Sequence, residues 1–137
     1  MTTVVDASVA LKWVLEEPGS ADAEALLDQE LVAPSLWLLE AGNALWRRVV
    51  RDEISAAEAQ ERLSELFNAP VTTVALEEDL TAAVRLAIEL NHPVYDCLYL
   101  ALALREGTHV VTSDRRFADA VARHPTLVGS VRLLGTA

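Results

Sequence analysis

Short β-branched runs alternate with longer helical segments along the whole chain. Residues 2–5, TTVV, pattern as a strand, and helix formers follow at once over 7–16, stopped by Pro18-Gly19. Ser20, with Asp22 and Glu24 in the first turn, opens a helix to about Gln29. LVAP is a short strand ended by Pro34, after which Ser35 is expected to cap a helix running to about Arg51. SAAE, Ser55 to Glu58, is a capping box that opens a helix to about Asn68. VTTV is the next strand, and Glu77, Glu78 and Asp79 occupy the first turn of a helix ending near Asn91. Residues 94–106 form a helix closed by Gly107. HVVT is a strand, DRRFADAVA a short helix, and VRLL a last strand.

This alternation predicts an α/β fold: a parallel sheet of about five strands, helices on both faces and right-handed crossovers. No repeat, low-complexity tract or linker interrupts it, and 137 residues fit one domain, 1–137. With 52% hydrophobic residues and only five Gly and five Pro, the chain has ample core and is not a disordered one. The N-terminus lacks a basic segment followed by an apolar one, so no signal peptide is expected. The longest apolar run, CLYLALAL, is eight residues, too short to span a bilayer, so no membrane role is expected. The single cysteine, Cys97, has no internal disulfide partner, which fits a reducing cytoplasm.

The net charge of −10 argues against broad attraction to nucleic acid or anionic membranes. It leaves room for an enzyme whose acids hold metal ions and whose few basic residues cluster. Most of the 21 acids belong to solvated helix faces or first turns. Four stand out. Asp6 follows an apolar strand; it is either a helix cap or a carboxylate at the strand end where open α/β sheets place ligands. Asp114 repeats that arrangement after HVVT, and the two form a site only if their strands are neighbours. Asp96 opens a helix that is apolar on every side, YDCLYLALAL, so its charge needs a partner or a metal. The rival reading is a first-turn acid favoured by the helix dipole. Glu40 lies in another mostly apolar helix, LWLLEAGNALW, sharing a face with Asn43; the rival reading is an amphipathic boundary residue.

Together these acids suit a hard divalent cation, Mg²⁺ or Mn²⁺, which takes oxygen ligands and water. No zinc-type Cys/His cluster and no Gly-rich phosphate loop is present. His92, His109 and His124 are scattered and read as surface or core. Cys97 reads as a packed thiol, and Trp13, Trp37 and Trp46 read as core. Arg47, Arg48 and Arg51 on one helix, with Arg115 and Arg116 beside Asp114, either guide a phosphate backbone or are solvated cations.

VVDASVALKW, LWLLEAGNALWR, YDCLYLALA and VVTSDRRFA, in this order and spacing, resemble the PIN domain, and within it the VapC-type toxin ribonucleases of bacterial toxin–antitoxin pairs. The resemblance covers essentially the whole chain. It implies a three-layer α/β/α, Rossmann-like fold with sheet order 3-2-1-4-5, which sets the strand ending at Asp6 beside the one ending at Asp114. It implies that Asp6, Glu40, Asp96 and Asp114 are an acidic catalytic and metal-binding quartet. Ser8 and Asn43 match positions that support it by hydrogen bonding, and Thr112 is a further candidate. Their rival readings are an ordinary cap, a helix-surface amide and a strand residue. The implied activity is Mg²⁺- or Mn²⁺-dependent endoribonuclease cleavage of RNA, with Asp6 and Asp96 nearest the metal and Asp114 the most replaceable. The implied partners are a VapB-like antitoxin and a second copy in a homodimer. Two alternatives remain: a non-catalytic interaction module on this fold, and another Mg²⁺-dependent Rossmann-like phosphohydrolase. The second lacks support, because Asp6 is followed by Ala7-Ser8 rather than by a D-x-D pattern.

Overall fold

The computed structural model describes residues 2–136. Five strands form one sheet in the order β3-β2-β1-β4-β5: β1 (Thr2–Val5), β2 (Glu30–Pro34), β3 (Val71–Val74), β4 (Val110–Thr112) and β5 (Val131–Leu133). Every pairing is parallel. The β1 strand is central, pairing Val4 with Val32 on one side and with Val110 on the other. The sheet order is the one the resemblance implies, and the strands leading to Asp6 and Asp114 are neighbours.

The helices are α1 (Ala7–Ala10), α2 (Ser20–Ala25), α3 (Trp37–Val50), α4 (Ala56–Phe67), α5 (Glu77–Leu90), α6 (Val94–Arg105) and α7 (Arg115–Ala122). They divide the core in two. The larger part joins Val4, Val32 and Val110 to Leu45, Leu66, Leu86, Phe117 and most of α6. The smaller, on the other face, holds Val5, Val9, Ala23, Leu31 and Val111. Seven consecutive α6 residues, Cys97 to Ala103, are buried, as a helix apolar all round requires. It packs on β1, β2 and β4 and lies along α5. The exposed Arg105 guanidinium at the end of α6 clamps the buried Asp79 of α5 through Nε–Oδ1 at 2.7 Å and Nη2–Oδ2 at 3.0 Å.

The capping box is present: Glu58 N donates to Ser55 Oγ at 3.0 Å and Ser55 N to Glu58 Oε1 at 3.3 Å. Asn91 (φ 51°) ends α5 and Gly107 (φ 68°) follows α6, both left-handed. Four expectations are corrected, three about helices and one about Trp46. The helix over 7–16 is a four-residue α-turn continued as 3₁₀ through Trp13. The segment after Ser20 changes to 3₁₀ at Leu26. Ser35 does not cap α3, whose N-cap is Leu36 with no side-chain bond; Ser35 N instead donates to Val74 O at 2.8 Å, extending the β2–β3 pairing. Trp37 is core and Trp13 half-buried, with its indole N–H donating to Ala23 O at 2.8 Å, but Trp46 is 59% exposed.

Candidate active site

Each of the four acids comes from the start of a helix. Asp6 ends β1 and is the N-cap of α1; Asp114 follows β4 and is the N-cap of α7. Glu40 and Asp96 lie in the first turns of α3 and α6. All four line one cavity of about 220 Å³, together with Ser8, Arg47 and Tyr99. Positive helix ends facing the same hollow suit carboxylates and, through them, a cation.

Asp6 is 5% exposed and fully bonded. Its Oδ1 accepts from Ser8 Oγ at 2.5 Å and from Val9 N at 3.3 Å, and its Oδ2 accepts from Thr112 Oγ1. The same hydroxyls accept in turn: Ser113 N donates to Ser8 Oγ and Asp114 N to Thr112 Oγ1, each at 3.0 Å. Ser8 and Thr112 therefore lace the ends of β1 and β4 together beneath the site. Capping and site-building coincide at both aspartates, since Asp114 Oδ1 accepts from Arg116 N (2.9 Å) and Phe117 N (3.3 Å) while the residue lines the cavity.

Glu40 Oε1 accepts from the buried Tyr99 hydroxyl at 2.5 Å, a contact across 59 residues of chain. Asp96 Oδ2 lies 2.6 Å from His92 Nε2, and the His92 ring stacks on Phe117 with centroids 5.2 Å apart. Reading His92 as a plain surface or core residue therefore misses its pairing with Asp96. Tyr99 is hidden in the sequence among the apolar residues of α6. Tyr99 lies at i+3 from Asp96 on α6, and His92 lies four residues before Asp96, just ahead of the helix. Asn43 takes no part in this network; it is exposed and lines the adjoining groove beside Glu40.

Burial dominates the electrostatics. It lifts the Asp6 carboxyl to about 6, although the Ser8 and Thr112 hydroxyls pull the other way. It lifts Glu40 to about 7, helped by repulsion from Asp96 and Asp6 and opposed by the Tyr99 hydrogen bond. Asp96 is also raised by burial, against the pull of His92 and with a push from Asp114. Tyr99 is held well above its ordinary value by burial and by the Glu40 charge, so it stays a donor. Burial pushes the Cys97 thiol up to about 11, which leaves it inert.

Glu40 Oε2, Asp96 Oδ1 and Asp114 Oδ2 receive no hydrogen bond from the described residues, while their partner oxygens are held. The donor set is all oxygen and crowded with like charge, which fits a hard divalent cation. Among the described residues no three acidic, histidine or cysteine side chains converge closely enough to enclose an ion unaided. That spacing suits an ion that keeps several waters and takes one or two carboxylates directly.

A parallel sheet in this order, with acids at the carboxyl ends of adjacent strands, defines an α/β protein whose site lies where such sheets bind ligands. The sequence matches the PIN domain family over residues 3–122, and the chain belongs to that family. Ribonuclease VapC3 of Pyrobaculum aerophilum is 34% identical over 132 residues, covering 93% of this chain and 98% of that protein. Ribonuclease VapC12 of Mycobacterium tuberculosis is 32% identical over 118 residues, covering 85% and 90%. Among solved structures, PAE2754 from P. aerophilum superposes with a TM-score of 0.71 at 24% identity, covering 96% of this chain and 83% of that one. VapBC2 from Rickettsia felis, bound to a promoter DNA fragment, does so with a TM-score of 0.66 at 17% identity, covering 97% and 98%.

Proposed function

We propose that this chain is a divalent-metal-dependent endoribonuclease, the toxin of a VapBC-type pair, with Asp6, Glu40, Asp96 and Asp114 as its catalytic acids. The observation that carries this reading is the meeting of four acids, from four helix starts, in one cavity with an arginine at its wall. Relatives named as VapC ribonucleases along nearly their full length support it.

Asp6, Asp96 and Asp114 would hold Mg²⁺ or Mn²⁺, with Glu40 completing the site. A divalent ion there supplies the Lewis acidity that phosphodiester hydrolysis requires. Ser8 and Thr112 fix the Asp6 carboxylate, His92 fixes Asp96, and Tyr99 fixes Glu40. Glu40, whose Oε2 is left free by the Tyr99 bond to Oε1, would take the proton of the attacking water. Arg47 offers its guanidinium to the phosphate. No protein nucleophile is needed.

Two exposed apolar surfaces support a chain that works in an assembly, as a homodimer held by an antitoxin. One is a groove between α3 and α4 lined by Trp46 and Leu63, and the other is the α5 stripe Leu80, Val84, Ile88. An acidic pocket also suits a basic side chain from an antitoxin. Among the described residues no helix is long and apolar enough to cross a membrane. The test is cleavage of a labelled RNA panel in Mg²⁺ and in Mn²⁺, stopped by EDTA and restored by adding metal back; cleavage that persists in excess EDTA would refute the metal role.

A further inference from the structure

A second groove opens beside the acidic cavity. It measures about 440 Å³ and is lined by Leu36, Leu39, Glu40, Asn43, Arg47 and Tyr95. Ligand pockets span roughly 300–1,000 Å³, so it is large enough to seat a ring system. Glu40 and Arg47 line both hollows, so the two adjoin. The spacing on α3 explains why: Glu40, Asn43 and Arg47 fall at i, i+3 and i+7 and share one helix face. Tyr95, adjacent to Asp96, faces them from α6.

The groove's side chains are left idle by the fold. Tyr95 is 65% exposed and Leu39 77%, although both are large and apolar. Asn43 is exposed and bonds to no other side chain among the described residues. Arg47, like several other arginines of this chain, has no carboxylate partner among the described residues, but it alone of them lines both hollows. An aromatic face, an amide and an unpaired guanidinium, set next to a phosphodiester-cleaving site, are the three groups that hold an unstacked nucleotide.

We propose that this groove is the subsite for the nucleobase flanking the scissile phosphate: Tyr95 stacks on the base, Asn43 reads its hydrogen-bonding edge, and Arg47 grips the phosphate between groove and acids. This rests on the ribonuclease reading above. A base suits the groove better than an apolar protein side chain, which would cover Asn43 and Arg47 without pairing them. The amide carries both a donor and an acceptor, so the position is selective rather than merely adhesive.

The test is steady-state cleavage of single-stranded RNA oligonucleotides, randomised at the nucleotide flanking the cut, by the full chain in Mn²⁺. Alanine substitution of a stacking aromatic weakens binding by about 5- to 150-fold per base, so Tyr95→Ala raises KM by that factor. Tyr95→Trp keeps the ring and restores KM, and Asn43→Ala flattens the base preference. Calorimetric titration with Mn²⁺ alone gives the same affinity for Tyr95→Ala as for the wild type, separating the groove from the metal site. Tyr95 is exposed, so its melting temperature reports intact folding. If the wild type cleaves and Tyr95→Ala matches it in KM and base preference, the subsite is wrong and the ribonuclease reading stands. If KM is unchanged but light scattering shows a changed oligomeric state, the groove belongs to a second copy and the proposal falls. If the wild type cleaves no RNA in any metal, the ribonuclease reading fails and takes the subsite with it.

Discussion

Asp6→Asn should stabilise the metal-free protein at neutral pH and not in acid. In the fold the Asp6 carboxyl titrates at about 6 against an ordinary 3.8, because burial outweighs its three hydrogen bonds. A carboxyl raised on folding leaves stability full below about 3.8 and declining as pH rises towards about 6, where the loss levels off. At 1.36 kcal/mol per pH unit, that interval is worth about 3 kcal/mol. Asparagine has nearly the same shape and no charge, but offers one acceptor oxygen where Ser8 and Thr112 both donate. The mismatched hydrogen bond costs about 1 kcal/mol. The net expectation is about 2 kcal/mol of stabilisation at pH 8, or roughly 6–10 °C in melting temperature, turning to a loss of about 1 kcal/mol at pH 3.5. Melting curves in EDTA across pH 3.5–8 measure it. With Mn²⁺ added, the wild type gains about 2.7 kcal/mol at a hundredfold excess over Kd and the variant loses most of that gain. A difference between wild type and variant that does not change with pH would refute the burial argument. An equal gain from Mn²⁺ in both would remove Asp6 from the metal site.

Tyr99→Phe removes the one hydrogen bond that lowers the Glu40 pKa, so that carboxyl moves above about 7. Cleavage then falls more at pH 6.5 than at pH 8.5, and a pH–rate profile whose acidic limb stays in place would contradict the role given to Tyr99. Arg105→Ala strands the buried Asp79 carboxylate without its bidentate partner and lowers stability by about 2–4 kcal/mol in urea titration. Its KM for RNA stays at the wild-type value, because neither residue lines the acidic cavity; a stability loss below about 0.5 kcal/mol would show the clamp to be dispensable.

The parts of this fold that local patterns specify are the parts the sequence exposes. TTVV and HVVT run into acids, and short β-branched runs alternate with longer helical segments, so the strands and the long helices are legible. The Ser55–Glu58 box is legible because both partners lie within four residues. Breaks inside short helices are not: Leu11 to Trp13 tightens to 3₁₀, and no residue there forbids an α-helix. Ser35 has a cap's identity, yet its backbone joins the sheet edge. In the site, the carboxylates stand out because they interrupt apolar segments, whereas Tyr99 does not, since a tyrosine in an apolar helix looks like core until Glu40 arrives from another helix. Thr112 is similar: as a buried strand residue it has no local mark of its bond to Asp6, 106 positions away. Trp46 shows the reverse failure, an aromatic in an amphipathic helix that the fold leaves in solvent.

The central claim is that the four acids assemble a metal site that cuts RNA, and Asp96 is its sharpest probe, being half-buried, on α6 and backed only by His92 among the described side chains. The most direct measurement is the rate at which wild type and Asp96→Asn cleave end-labelled single-stranded RNA in saturating Mn²⁺, with circular dichroism confirming that both are folded. The account predicts site-specific cuts by the wild type and a rate lower by orders of magnitude, about 10² or more, for the variant. Equal rates in a folded Asp96→Asn protein would contradict it.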